Sequence, residues 1–158
     1  MSKPKILVSA PVTTRSGYGA RSRDVVRALI KLDKYDVHVN PVPWGNTPQN
    51  ALALDDPNDK MIVDRFLNKK MNPDVHIHIV VPNEFQNIAK YNIGITAGIE
   101  TTAVPPVWIE GLNRMDLNIV PSQHSKDVFE KTFYDRMDNR TKQKVGELKC
   151  EKPIEVLF

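Results

Sequence analysis

One cysteine, Cys150, and no apolar run approaching membrane-spanning length are the scarcities that constrain this chain first. A lone thiol closes no internal disulfide, so cross-links cannot hold the fold together. Its setting, Glu147-Leu-Lys-Cys-Glu-Lys152, reads as an incidental thiol rather than a nucleophile. Without a long apolar run no membrane span is expected. Met1-Ser-Lys-Pro-Lys5 leads into a strand-like segment with no signal-peptide core, so a cytoplasmic location is expected. A dominant charge is missing too. The net charge is +3, and bases alternate with acids from Lys126 to Lys152 as on solvated helix faces, so no nucleic-acid groove is expected.

What is present is an ordinary globular composition. With 158 residues, 41% hydrophobic and 26% charged, the chain can bury one sizeable core and is expected to form a single domain over 1–158. Glycine is scarce, at 7 residues, which makes the close pair Gly17-Tyr18-Gly19 informative. It follows the apolar run Lys5–Ala10 and precedes a helical stripe of Val25, Val26, Leu29, Ile30 and Leu32, giving a strand, a glycine loop and a helix. Such glycines are expected to take positive φ and to let a ligand approach, with the helix N-terminus suiting an anionic or hydroxyl-rich group. A tight turn with no ligand explains the same residues equally well. A dinucleotide fingerprint is incomplete, because Ser22 stands where a third glycine belongs. No cofactor is expected.

Further strands are expected over Tyr35–Val42, Asp74–Val81, Asn92–Ile99, Asp116–Val120 and Pro153–Phe158. Helices are expected from Pro57 to Asn72-Pro73, with Ile62, Val63, Phe66 and Leu67 inward, around Val107–Asn113, and after Pro121-Ser122. Strands alternating with helices and no tight hairpin predict an α/β, Rossmann-like three-layer sandwich with a mostly parallel sheet. Ligands of such folds bind beyond the carboxyl ends of the strands.

Glu100 follows Ile95–Ile99 at such an end and either orients or deprotonates a substrate hydroxyl or caps the next turn. Ser122 either caps the following helix or faces a phosphate, and His124, one turn in, either reaches the cleft or lies on the surface. His76 and His78 share a strand face, but nothing nearby completes a metal shell, so no metal is expected. Trp44 and Trp108 either stack on a ligand or pack. Glu147 and Glu155, with seven residues between them, read as a chance pair.

Four segments together resemble the N-terminal half of a GT-B glycosyltransferase of the retaining type, whose donor domain carries two glutamates separated by seven residues. They are Lys5–Pro11 with Ser16-Gly-Tyr-Gly-Ala-Arg-Ser-Arg23, Ile95-Thr-Ala-Gly-Ile-Glu-Thr-Thr-Ala-Val-Pro105, Trp108 with Asn113–Asp116, and Leu117-Asn-Ile-Val-Pro-Ser-Gln-His-Ser-Lys126. The resemblance spans nearly the whole chain, and such sequences look similar to ones encoded by bacteriophages. It implies an acceptor-side domain for transfer of a hexose from a nucleoside-diphosphate sugar to a hydroxyl acceptor, in the cytoplasm of a host cell if phage-encoded. Glu100 would then be catalytic, with Arg15, Gly17, Tyr18, Gly19, Ser122 and His124 binding substrate. The donor domain is not seen in this sequence, so the chain alone is expected to be inactive and to need a second domain or partner chain. The alternative is a non-catalytic interaction or structural domain on the same scaffold.

Overall fold

A computed structural model describes residues 3–42, 50–67, 69–97 and 103–157. Two compact units make up the chain, Met1–Val80 with Asn87–Asn92 and Val81–Gln86 with Ile93–Phe158.

In the first unit, β1 (Lys5–Ala10) leads through a loop into α1 (Gly17–Leu32), then β2 (Asp36–Pro41), α2 (Pro57–Val63) and β3 (Val75–Ile79). Both β2 and β3 pair with β1 in parallel, in the order β2-β1-β3. Parallel neighbours need crossovers, which α1 and α2 supply. Ile6, Val8, Ala10, Val37, Val39, Ile77 and Ile79 form the buried strand core, with Val26 of α1 and Ile62 of α2 also fully buried. Asp33 ends α1 in the left-handed region at φ 52°, its N–H donating to the Ile30 carbonyl.

Two expectations are corrected here. The second helix stops at Val63 rather than running to Asn72, and Phe66 instead forms a parallel bridge to Val39. The Val39 N–H donates to Arg65 O and the Leu67 N–H to Val39 O, both at 2.8 Å. The open edge of β2 offers backbone groups that an extended chain can satisfy and a helix cannot.

The second unit contains the 3₁₀ turn Pro82–Glu84, then β4 (Tyr91–Ile95, from Ile93 onward), α3 (Pro106–Asn113), β5 (Leu117–Val120), α4 (Gln123–Lys131) and β8 (Ile154–Val156). β5 pairs in parallel with both β4 and β8. Gly111 lies so close to the 3₁₀ turn that a Cβ would stand 1.7 Å from the Pro82 carbonyl oxygen. Arg114 donates to the carbonyls of Phe85 and Asn83, fixing the same turn.

Between α4 and β8 the expectation of no hairpin is overturned. β6 (Phe133–Met137) and β7 (Lys144–Lys149) form an antiparallel pair whose turn places Lys142 at φ 56°. The alternating charges there therefore lie on a hairpin as well as a helix. Lys144 bridges Asp135 across it at 3.1 Å and Glu147 on its own strand at 2.9 Å. Tyr134 Oη donates to Val104 O at 2.6 Å, and Asn113 Nδ2 donates to Lys149 O, so the hairpin is tied to its unit at both ends. Parallel ladders alternating with helices make the fold α/β and Rossmann-like, as the sequence predicted.

Candidate functional site

β1 has its sequence neighbour β2 on one side and the later β3 on the other, so the chain changes direction of winding between β1 and β3. In open α/β sheets this switch point, beyond the carboxyl strand ends, is where ligands lodge. The loop leaving β1 there runs from Pro11 to Ser16.

Five side-chain hydrogen bonds fix that loop. Thr14 Oγ1 donates to Pro11 O at 2.8 Å and shares a 2.9 Å hydrogen bond with Ser16 Oγ. Ser16 caps α1 by accepting from the Gly19 N–H at 2.9 Å. Arg23, one helical turn beyond Gly19, reaches back to donate to Val12 O at 3.0 Å and Thr14 O at 2.8 Å. Burial, with repulsion from Arg27, pulls the Arg23 pKa below its ordinary value, partly offset by Asp59 and Asp24. The contribution of Thr14 and Arg23 was not anticipated. The signal was Arg23 at the i+4 position from Gly19, on the helix face that looks back at the loop.

The glycines serve a different purpose from the one expected. Neither Gly17 nor Gly19 lies at positive φ; both are in the first turn of α1. Gly19 is buried because the loop backbone folds onto it, and a Cβ there would stand 2.2 Å from Thr14 O and 2.8 Å from Thr14 Oγ1. Gly17 is exposed, and a Cβ would meet nothing within 4 Å. Ser22, in place of a third glycine, is fully buried and turns its hydroxyl onto Tyr18 O.

Arg15 is exposed and held by Asn50, its Nε donating to Asn50 Oδ1 at 2.8 Å, while the Ala51 N–H donates to Thr13 O. The structure thus brings Arg15, Gly17, Tyr18 and Gly19 together at one strand end, with Arg15, Gly17 and Ala20 turned to solvent. Glu100 and Trp44 lie outside the described residues.

In the second unit Ser122 is the N-cap of α4, its Oγ accepting from the Ser125 N–H at 3.1 Å and sharing a 3.0 Å hydrogen bond with Ser125 Oγ. His124 is exposed in the first turn. Trp108 packs 6.3 Å, centroid to centroid, from Phe129.

His76 and His78 are both buried, their rings 5.2 Å apart, and His76 Nε2 shares a 2.8 Å hydrogen bond with Ser9 Oγ. Burial, with a smaller contribution from His76, pushes the His78 pKa down to about 4. Among the described residues no group of three or more His, Cys, Asp or Glu could hold a metal ion, and no helix is long and apolar enough to cross a membrane.

The fold and the loop define an α/β protein of Rossmann-like class with a pre-shaped turn at its switch point. No protein-family model, curated protein or solved structure matches the chain.

Proposed function

We propose that this chain is the acceptor-side domain of a GT-B glycosyltransferase that moves a hexose from a nucleoside-diphosphate sugar to a hydroxyl acceptor. The order of the four sequence segments suggests the family. The observation that carries the reading is the loop 11–16, fixed from within at the carboxyl end of β1 and turning Arg15 and Gly17 outward. A turn whose donors and acceptors are already satisfied presents one surface to a ligand, which lowers the ordering cost of binding.

In the reaction the bond from the sugar C1 to the diphosphate oxygen breaks, a bond from C1 to the acceptor oxygen forms, and the acceptor proton passes to a base. Glu100 would orient or deprotonate that hydroxyl. Arg15, with its remaining guanidinium N–H groups, would meet an anionic group, Gly17 to Gly19 would lie against the acceptor, and Ser122 and His124 would add hydroxyl contacts. The diphosphate would be held by a donor-binding domain in the same protein or a partner, and the enzyme would work in the cytoplasm, a host's if phage-encoded.

A second reading, a non-catalytic interaction domain, is favoured by the hairpin, which leaves Phe133, Met137 and Val145 exposed at 59%, 52% and 65%. Protein from its native source, kept with whatever copurifies, separates the two. Turnover of a nucleoside-diphosphate sugar, lowered about tenfold or more by Gly17→Val with an unchanged melting temperature, supports the enzyme. No turnover by that preparation removes it, and full turnover by Gly17→Val removes the loop from the site.

A further inference from the structure

At the opposite, amino end of the same strands, the first unit holds a charged cavity. It measures about 300 Å³ and is lined by Lys3, Lys5, Asp33, Tyr35, Asp36 and Arg65. Lys5 opens β1 and Ala10 closes it, so at about 3.3 Å per residue the cavity lies roughly 17 Å from the loop described above.

Three cations face two carboxylates there, and both carboxylates are already engaged. Asp33 pairs with Lys3, which with a hydrogen bond and its charge holds the Asp33 carboxyl below its usual range, Arg65 adding to that field. Asp36 Oδ2 sits 3.2 Å from His38 Nε2. Arg65 is left over. Its Nε is buried with no hydrogen-bond partner among the described residues, while the Lys5 charge acts on Asp74, outside the cavity lining. A buried guanidinium N–H without an acceptor is costly, because its lost hydration is not replaced.

The Arg65 backbone is not free to relieve this. Its carbonyl accepts from the Val39 N–H and its N–H donates to Ile62 O, so the residue is anchored where the segment bridges β2. An acceptor entering the cavity would satisfy the side chain. A water would satisfy Nε but carries no charge, and three cations face two carboxylates in this lining. An oxyanion brings both an acceptor and a charge.

We infer that this cavity is a binding site for a small oxyanionic ligand, a phosphate or carboxylate group, held by Arg65 with Lys5 and bordered by Tyr35. Arginine suits this role because its planar fork can give two parallel hydrogen bonds to either group. The site is independent of the sugar-transfer reading and would persist were that reading wrong.

The test follows the Arg65 Nε–Hε resonance by NMR while inorganic phosphate, and separately acetate, is added to the full chain at constant ionic strength. A saturable shift is expected, about tenfold weaker in affinity for Arg65→Gln (followed through backbone amides of residues 3–5 and 35–36) and weakened also for Lys5→Gln. Saturation with phosphate alone identifies a phosphate ligand, and with acetate alone a carboxylate one. Lack of saturation with both anions, or unchanged affinity in Arg65→Gln, overturns the proposal. Should Arg65→Gln lose the native amide spectrum, Lys5→Gln decides: its side chain has no part in the β1 ladder, and unchanged affinity there is equally refuting.

Discussion

Two glycines separated by one residue should respond to alanine with opposite sign. At Gly19 the new methyl would stand 2.2 Å from Thr14 O, 2.8 Å from Thr14 Oγ1 and 3.1 Å from Arg23 Nη1, and the first of these is backbone that cannot rotate away. Relief requires the loop to move off α1, loosening the Arg23 hydrogen bonds to Val12 and Thr14. Overpacking of this kind costs about 1–3 kcal/mol, while the better helix propensity of alanine returns less than about 1 kcal/mol in a first turn. Gly19→Ala should therefore lose about 1–2 kcal/mol. At Gly17 there is open space, so Gly17→Ala should gain up to about 1 kcal/mol from propensity alone. In thermal melts followed by circular dichroism, with about 2–4 °C per kcal/mol for a chain of this size, Gly19→Ala should melt about 2–8 °C lower and Gly17→Ala up to about 4 °C higher. Urea midpoints should move in the same directions. Equal shifts, or stabilisation by Gly19→Ala, would refute the argument that the Thr14 carbonyl closes onto this helix turn.

Other perturbations reach the rest of the molecule. Ser122→Ala removes the cap of α4 and should cost about 1 kcal/mol in urea denaturation, whereas Ser122→Asp should restore most of it. His78 is neutral when folded, with its pKa lowered to about 4 from an ordinary 6.5. The unfolded chain therefore takes up a proton first as pH falls. Stability should be fully present above about pH 6.5 and decline towards pH 4, by at most roughly 3 kcal/mol, and His78→Leu should flatten that part of the profile. Gly111→Ala puts a methyl 1.7 Å from Pro82 O and should cost about 3 kcal/mol or more, seen as loss of a cooperative urea transition or of soluble protein.

Periodicity located most elements because burial and period agree there. β1 reads as a mostly apolar run, broken only by Ser9 after Lys5, and is buried after its first residue, and α1 carries an amphipathic stripe from Val25 to Leu32. Phe66 and Leu67 fit a helical stripe equally well, and only the unpaired edge of β2, supplied by residues far away in sequence, decides for extended chain. The hairpin was illegible for a related reason. Its outward residues Asp135 and Glu147 are charged, and its turn uses Lys142 at positive φ instead of the glycine or asparagine that announces one. At the candidate loop the sequence pointed to the glycines but not to Thr14 and Arg23, which fix it. Ser122 is the cap that its position suggested, while Gly19 yields to a backbone carbonyl from its own loop, a contact that composition and spacing do not encode.

The early end of α2 has a consequence for how this protein behaves among copies of itself. β2 is the outermost strand of its ladder, and an outermost strand with open N–H and C=O groups is a template for another chain. By leaving the helix at Val63, the backbone of residues 65–67 occupies both bonding groups of Val39, midway along that strand. The chain thus fills with its own backbone a place on this edge where another extended strand could otherwise pair.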